Sequence, residues 1–192
     1  MHKFNIKSLE KLDNPKRRQL MPPVETLKKF QIGDKGTLLD IGCGIGYFSI
    51  PAANILKQGK VIGLDIMPEM IEFSKEKAKN ISNIEFIRSE EYSFPIQDSS
   101  IDYVFISNVI HEIEDKPKYF KEIKRVLKTN GLLCVIDWEK KEAAMGPSIN
   151  ERISKDEMIK TCASANFTHL EDVFINMDHY GLKFKLLWFQ NI

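Results

Sequence analysis

The sequence predicts an α/β fold: a doubly wound, seven-stranded and mostly parallel sheet between two layers of helices. Apolar strand-like segments alternate with helical ones five times between Gly36 and Trp138. Two further strand-like segments, Thr168–Met177 and His179–Asn191, are joined by only a turn, which forces an antiparallel pair at the end of the chain. A glycine-rich turn directly follows the first strand, and such turns commonly receive nucleotide-like ligands.

The first three strands are short apolar runs bounded by turn residues, as expected of buried strands. They span Gly36–Gly42, Lys60–Ile66 and Asn83–Ser89. Helices are predicted between them at Tyr47–Gly59 and Met67–Asn80.

A fourth strand is predicted at Ile101–Val109 and a fifth at Gly131–Trp138. The helix between them starts at a capping Asp115 and ends near Gly131. One apolar face runs along this helix: Tyr119, Phe120, Ile123, Val126 and Leu127.

We expect a single domain over residues 1–192. Residues 1–35 are predicted to form a helical lid, including a short helix from Pro22 or Pro23 to Phe30. Residues 36–138 form the ligand-binding core. Residues 139–192 hold a substrate loop, a helix that opens with the capping box Ser154 and Glu157, and the terminal hairpin.

Composition narrows the class of partners. The 28 basic and 27 acidic side chains give a net charge of +1, so nothing favours a nucleic-acid partner. No apolar run approaches the ~20 residues that span a bilayer, and no signal-peptide core is present near the start. The three cysteines form no metal-ligand cluster, so we expect a cytoplasmic protein without a metal.

The turn "LLDIGCGIGYFSI" holds Gly42, Gly44 and Gly46 behind the first strand. A dinucleotide fingerprint reads G-x-G-x-x-G, which would require glycine where Tyr47 stands. Asp40 precedes the glycines, where a carboxylate would repel a pyrophosphate and suit a cationic or ammonium group. The pattern therefore disfavours a nicotinamide dinucleotide.

Four segments together resemble the class I S-adenosylmethionine-dependent methyltransferases, which have a Rossmann-like fold, and more narrowly their ubiquinone/menaquinone-biosynthesis-like small-molecule branch (methyltransferase domain 11). They are "LLDIGCGIGYFS", "VIGLDIMPEM", "SFPIQDSSIDYVFISNVIHEIED" and "EIKRVLKTNGLLCVIDW". The close resemblance covers residues 36–138. It departs from the family at "LKTNG", where relatives usually read L-K-P-G-G.

The resemblance implies a set of cofactor-binding residues. Turn residues Gly42, Cys43 and Gly44 match the loop beneath the methionine part of S-adenosylmethionine, and Asp40 matches an acid near its amino-acid end. Asp65 matches the acid that accepts both ribose hydroxyls. The remaining matches are Ile66 and Met67 beside the adenine, Glu90 or its neighbour Glu91 toward the adenine amino group, and Asn108 near the methionine moiety.

The same resemblance implies methyl transfer, with S-adenosylhomocysteine as product, in which placement of the acceptor does most of the work. The family has no universal catalytic residue. His111, after the fourth strand, is a candidate general base or substrate contact, or a structural residue of the next helix. Tyr47 is a second candidate catalytic residue, with packing as its alternative role. Asp137 and Trp138 end the fifth strand and are candidates to shape the acceptor pocket.

Two features outside the core remain open. Arg152, in the long 138–153 loop, is a candidate contact for an anionic substrate. The basic run Lys16–Arg18 is typical of a solvated face, and its alternative role is to hold an anionic substrate or a partner.

We expect a small-molecule acceptor, with the acceptor atom and a monomeric or homodimeric state left open. A nucleic-acid or protein methyltransferase of the same fold is the nearer alternative. The N/D-P-P-Y/F motif of amino-directed enzymes is absent after the fourth strand, which reads "SNVI". An NAD(P)-dependent reductase and a non-catalytic cofactor-binding protein are more distant alternatives.

Overall fold

A computed structural model describes residues 12–143 and 145–186 of the 192-residue chain. The chain divides into two compact units, Met1–Pro95 and Ile96–Ile192. The part of the predicted helical lid that precedes residue 12 lies outside the described residues.

The first unit alternates helices and strands. Its elements are α1 (Pro15–Leu20), α2 (Pro23–Lys29), β1 (Lys35–Ile41), α3 (Ser49–Ile55), β2 (Gln58–Asp65), α4 (Pro68–Lys77) and β3 (Ile84–Arg88). The three strands are parallel, with β2 in the middle. The register pairs Asp40 with Gly63 and Asp65 with Arg88, so the carboxyl ends of all three strands lie at one edge.

The second unit begins with β4 (Ile101–Ser107). It continues through a short 3₁₀ turn (Ile110–Glu112), α5 (Lys116–Val126), β5 (Leu127–Trp138), α6 (Lys155–Ser164), β6 (Phe167–Phe174) and β7 (His179–Leu186). Strands β4 and β5 are parallel, whereas β7 is antiparallel to both β5 and β6. The predicted terminal hairpin is therefore confirmed as far as Leu186; residues 187–191 of its predicted second strand lie outside the described residues.

The sheet has seven strands in the order β3-β2-β1-β4-β5-β7-β6. Along the sheet the strand numbers fall from β3 to β1 and then rise from β4, which is the change of strand order found in doubly wound folds. The predicted seven-stranded, mostly parallel sheet with an antiparallel end is confirmed.

The capping signals in the sequence act as predicted. The Asp115 carboxylate accepts a hydrogen bond of 3.0 Å from the Lys118 N–H at the start of α5. Ser154 and Glu157 form the complete capping box of α6. These bonds satisfy backbone N–H groups that have no partner within a helix.

The boundary between α5 and β5 differs from the prediction. All five residues of the predicted apolar face are buried, but the helix ends at Val126 and Leu127 already begins the strand. Gly131 lies inside β5, at an irregularity in the β4–β5 register. A Cβ at Gly131 would lie 2.6 Å from Leu127 Cδ2, so the glycine serves packing rather than a helix end.

Among the described residues, no helix is long and apolar enough to cross a membrane.

Candidate functional site

The glycine-rich turn follows β1 in the first unit. Gly42, Gly44 and Gly46 have φ values of 73°, 53° and 76°, in the left-handed region that favours glycine. The N–H groups of Gly42 and Cys43 both donate to the Leu64 carbonyl at 2.8 Å, which fixes the turn against the end of β2. The sequence folds this way because residues with a Cβ rarely adopt such a run of positive φ angles.

The Asp65 carboxylate, at the end of β2, lies directly beside this turn. One oxygen accepts the Gly44 N–H and the other accepts the Met67 N–H, each at 2.9 Å. Burial raises the pKa of Asp65, while these backbone hydrogen bonds oppose the rise. Each carboxylate oxygen has a further lone pair, so Asp65 has the acceptors that a vicinal diol requires.

Four other predicted cofactor residues lie near Asp65. Ile66 and Met67 follow it directly and are half-buried. The Ser89 N–H donates to the Asp65 carbonyl at 3.0 Å, which brings the next residues, Glu90 and Glu91, to the same edge. Glu90 is exposed and Glu91 half-buried, so both carboxylates stay predictions for the adenine amino group.

Asp40 is buried at the end of β1, with 3% of its surface exposed. The Ser49 hydroxyl, from the first residue of α3, donates to it. Burial raises the pKa of Asp40 to about 7; the charge of Asp65 adds to the rise, and Ser49 and Arg17 oppose it. A cation near this carboxyl would therefore favour its ionised form.

The contacts of Cys43 and Tyr47 argue against a ligand-binding role for their side chains. Cys43 packs in a buried cluster with Ile71, Ala78 and Phe86. The Tyr47 hydroxyl donates to the Met21 carbonyl at 2.8 Å, and only 5% of the residue is exposed. These contacts support the packing alternative for Tyr47.

In the second unit, Asn108 follows β4 with a φ of 58°. Its N–H donates to the Ile136 carbonyl at 2.9 Å, which continues the pairing of β4 with β5. The Asn108 Oδ1 and the Ser107 Oγ are buried without a hydrogen-bond partner among the described residues. Buried polar atoms are normally paired, so these two atoms at the end of β4 are available to a water molecule or a ligand.

His111 and Asp137 form a buried pair. His111 lies on the 3₁₀ turn after β4, and Asp137 lies near the end of the adjacent strand β5. The His111 Nδ1 is 2.7 Å from the Asp137 Oδ1, and the side chains are only 6% and 1% exposed. The His111 N–H reaches Asp137 Oδ2 at 3.3 Å and the Trp138 N–H reaches Oδ1 at 2.8 Å, so backbone bonds hold the carboxylate in place.

This pairing sets the chemistry of His111. Burial alone lowers the pKa of His111, but the hydrogen bond and charge of Asp137 outweigh it, with smaller contributions from Glu112 and Glu151. The net effect raises the pKa above 6.5. With the Nδ1 hydrogen directed at Asp137, the lone pair of neutral His111 is on Nε2. The pairing therefore orients the imidazole and leaves Nε2 able to accept a proton, with Glu112 Oε1 3.8 Å from it.

Arg152 has a structural role in the loop after β5. Its guanidinium donates to the carbonyls of Pro147, Glu139, Lys141 and Met145 at 2.8–3.0 Å. Only 4% of the residue is exposed, and the guanidinium lies 5.2 Å from the centre of the Trp138 ring. These contacts support a structural role, in which Arg152 joins residues 139–141 to residues 145–147, rather than a contact for an anionic substrate.

Sequence reasoning named His111 and Asp137 separately but did not pair them. They are 26 residues apart, and the only available signal was that His111 follows the fourth strand and Asp137 ends the fifth, so both lie at the carboxyl ends of strands. Among residues 12–143 and 145–186, no cluster of three or more histidine, cysteine or acidic side chains has the geometry of a metal site.

Comparison with known proteins adds relatives. A family model described as a methyltransferase domain matches residues 32–185. The chain is 32% identical over 112 residues to a demethylmenaquinone methyltransferase of Staphylococcus carnosus, an alignment that covers 58% of this chain and 46% of that protein. The chain thus spans about half the length of such curated relatives.

Two solved structures resemble most of the chain. A crystal structure titled as a SAM-dependent methyltransferase from Aquifex aeolicus is 31% identical, with a TM-score of 0.89 over 96% of this chain and 100% of that one. A putative type 11 methyltransferase from Sulfolobus solfataricus is 26% identical, with a TM-score of 0.74 over 90% of this chain and 96% of that one.

Proposed function

Because the chain belongs to the methyltransferase-domain family, we propose that it methylates a small hydroxylated aromatic acceptor with His111 as general base. The family-model match shows the family, and the solved structures support methyl transfer with S-adenosylmethionine as the cofactor. The acceptor and the role of His111 are the proposed part.

The residues of the first unit fit this cofactor. The glycine turn brings backbone close to a ligand, Asp65 offers two carboxylate oxygens to a diol, and Asp40 offers a carboxyl to an ammonium group. S-adenosylmethionine supplies, when bound, a methyl group that its sulfonium activates toward nucleophiles. The protein therefore has to place the acceptor, exclude water and remove a proton where the acceptor carries one.

The single observation that carries the proposal is the 2.7 Å pair of His111 and Asp137. In the proposed step, Nε2 of His111 takes the proton of an acceptor hydroxyl, and Asp137 stabilises the imidazolium that forms. A phenol that has lost its proton carries negative charge on the oxygen and on the ring carbons beside and opposite it. Either position is then a nucleophile for the methyl group.

The acceptor class follows from this chemistry and agrees with the relatives. A base is useful only where the acceptor must lose a proton. Hydroxylated rings have pKa values near 10, within reach of an oriented histidine. The name of the Staphylococcus relative refers to a quinone. The reduced form of a quinone is a hydroxylated ring and so belongs to this acceptor class.

The experiment is methyl transfer from methyl-labelled S-adenosylmethionine to a soluble 1,4-naphthohydroquinone, with the product analysed by mass spectrometry. We expect His111→Asn to lower the turnover rate by about 10²–10⁴ without weakening cofactor binding. His169→Asn, on β6, is the matched control and should leave the rate unchanged. Full activity of His111→Asn would refute the base, and methylation of only non-hydroxylated acceptors would refute the acceptor class.

A further inference from the structure

The segment Leu12–Met21, called here the strap, packs on the glycine turn of the first unit. The Leu12 Cδ1 lies 3.6 Å from where a Cβ on Gly44 would be. At the other end, the Met21 carbonyl accepts the Tyr47 hydroxyl at 2.8 Å, and Met21 is 2% exposed. The strap is therefore attached on both sides of the turn.

Asp13 ties the strap to itself and to α4. Its carboxylate binds Arg18 through two hydrogen bonds of 2.6 and 2.7 Å and lies 3.8 Å from Lys77 Nζ. The hydrogen bonds and charge of Arg18, helped by Lys77, lower the pKa of Asp13 even though burial opposes this. Asp13 thus remains ionised and holds the strap in place over the neutral pH range.

Arg17 differs from the other cations of the same basic run. Lys16 and Arg18 are exposed, whereas Arg17 is half-buried. Its guanidinium carbon lies 4.2 Å from the centre of the Tyr47 ring, and Nη1 donates to the Leu12 carbonyl at 2.7 Å. The remaining guanidinium N–H groups make no hydrogen bond within the described part of the chain.

A cation, Arg17, and a buried acid, Asp40, lie beside the glycine turn. Burial lowers the pKa of Arg17, and interactions with the Tyr47 hydroxyl and with the carboxyl groups of Asp13 and Asp40 oppose that change. Arg17 lies over the ring of Tyr47, which directly follows the glycine turn, and Asp40 lies two residues before Gly42, so a cation and an acid flank the same turn. An α-amino acid group carries the complementary pair, a carboxylate for Arg17 and an ammonium for Asp40.

We propose that Arg17, delivered by the strap, binds the carboxylate of the cofactor's amino-acid end. Its planar fork matches a carboxylate in two hydrogen bonds, and the Tyr47 ring holds the plane of the guanidinium. The strap then selects ligands that carry an amino-acid tail over nucleosides that lack one. The inference rests on the proposed function, since it concerns the cofactor of that reaction.

The test compares two nucleosides that differ only in the tail. Calorimetry would measure binding of S-adenosylhomocysteine and of 5′-methylthioadenosine, which has no amino-acid group, to the wild-type chain and to Arg17→Gln. We expect Arg17→Gln to weaken S-adenosylhomocysteine binding roughly tenfold to a hundredfold and to leave 5′-methylthioadenosine binding unchanged. The affinity of Arg17→Lys for S-adenosylhomocysteine should lie between those of the wild type and Arg17→Gln, because lysine keeps the positive charge but lacks the two-pronged guanidinium.

Lys16→Gln, one residue away and exposed, is the matched control and should bind both nucleosides as the wild type does. Thermal unfolding without ligand checks that each variant is folded. Equal weakening of both nucleosides by Arg17→Gln, or no weakening of either, would overturn the inference while the proposed function stands. Wild-type protein that binds neither nucleoside would overturn both.

Discussion

The Asp65 carboxylate and the Gly44 N–H, 21 residues apart in sequence, are joined by a hydrogen bond of 2.9 Å. This bond couples the predicted ribose acceptor at the end of β2 to the backbone of the glycine turn. A single side chain therefore shapes two parts of the cofactor site.

Asp65→Ala should weaken S-adenosylmethionine binding roughly a hundredfold, because it removes both predicted ribose acceptors and the acceptor of the Gly44 N–H. Calorimetry measures the change. Asp98→Ala, which removes an exposed partner of Arg125, is the control and should bind normally. Unchanged affinity in Asp65→Ala would contradict the ribose assignment.

Asp137→Asn should lower the rate of methyl transfer and move its pH dependence. The base must be neutral to accept a proton, so wild-type activity should rise with pH through a pKa above 6.5. Without the Asp137 charge the pKa of His111 falls, and the rising limb should shift to lower pH. A purely structural role would lower activity equally at every pH, and a pH–rate profile separates the two.

Asp40→Asn should change how stability depends on pH. The folded pKa of about 7 is above the unfolded value of 3.8, so the folded chain binds more protons between these values and loses stability as pH rises through that window. The asparagine variant lacks this loss. In urea denaturation, the free energy of unfolding of Asp40→Asn relative to that of the wild type should therefore be higher at pH 8.5 than at pH 4. An equal difference at both values would show that Asp40 does not titrate near neutrality.

Arg152→Met should destabilise the loop after β5. The substitution leaves the carbonyls that Arg152 binds without their donor, which we expect to cost about 2 kcal/mol or more in the free energy of unfolding. Urea denaturation measures this cost, and limited proteolysis should show earlier cleavage within residues 139–152. Lys140→Met, which breaks only an exposed ion pair with Glu157, should change neither.

Local patterns predicted most of the fold. Apolar runs, caps and turn residues located the strands and helices because each depends on neighbours in sequence. The boundary at Leu127 was wrong because the helical period continued through a residue that pairs in the sheet. The register of β5 with β4 overrode the local pattern there.

By itself the sequence determined the alternation of strands and helices, the glycine turn and the acid that ends β2, since their spacing along the chain is their signal. Only the tertiary structure decided which distant side chains meet. It paired His111 with Asp137, placed Arg17 over Tyr47 and turned Arg152 inward onto four carbonyls. The physical reason is that strand register and loop packing decide which distant charged groups are buried beside one another. No local sequence pattern encodes either of them.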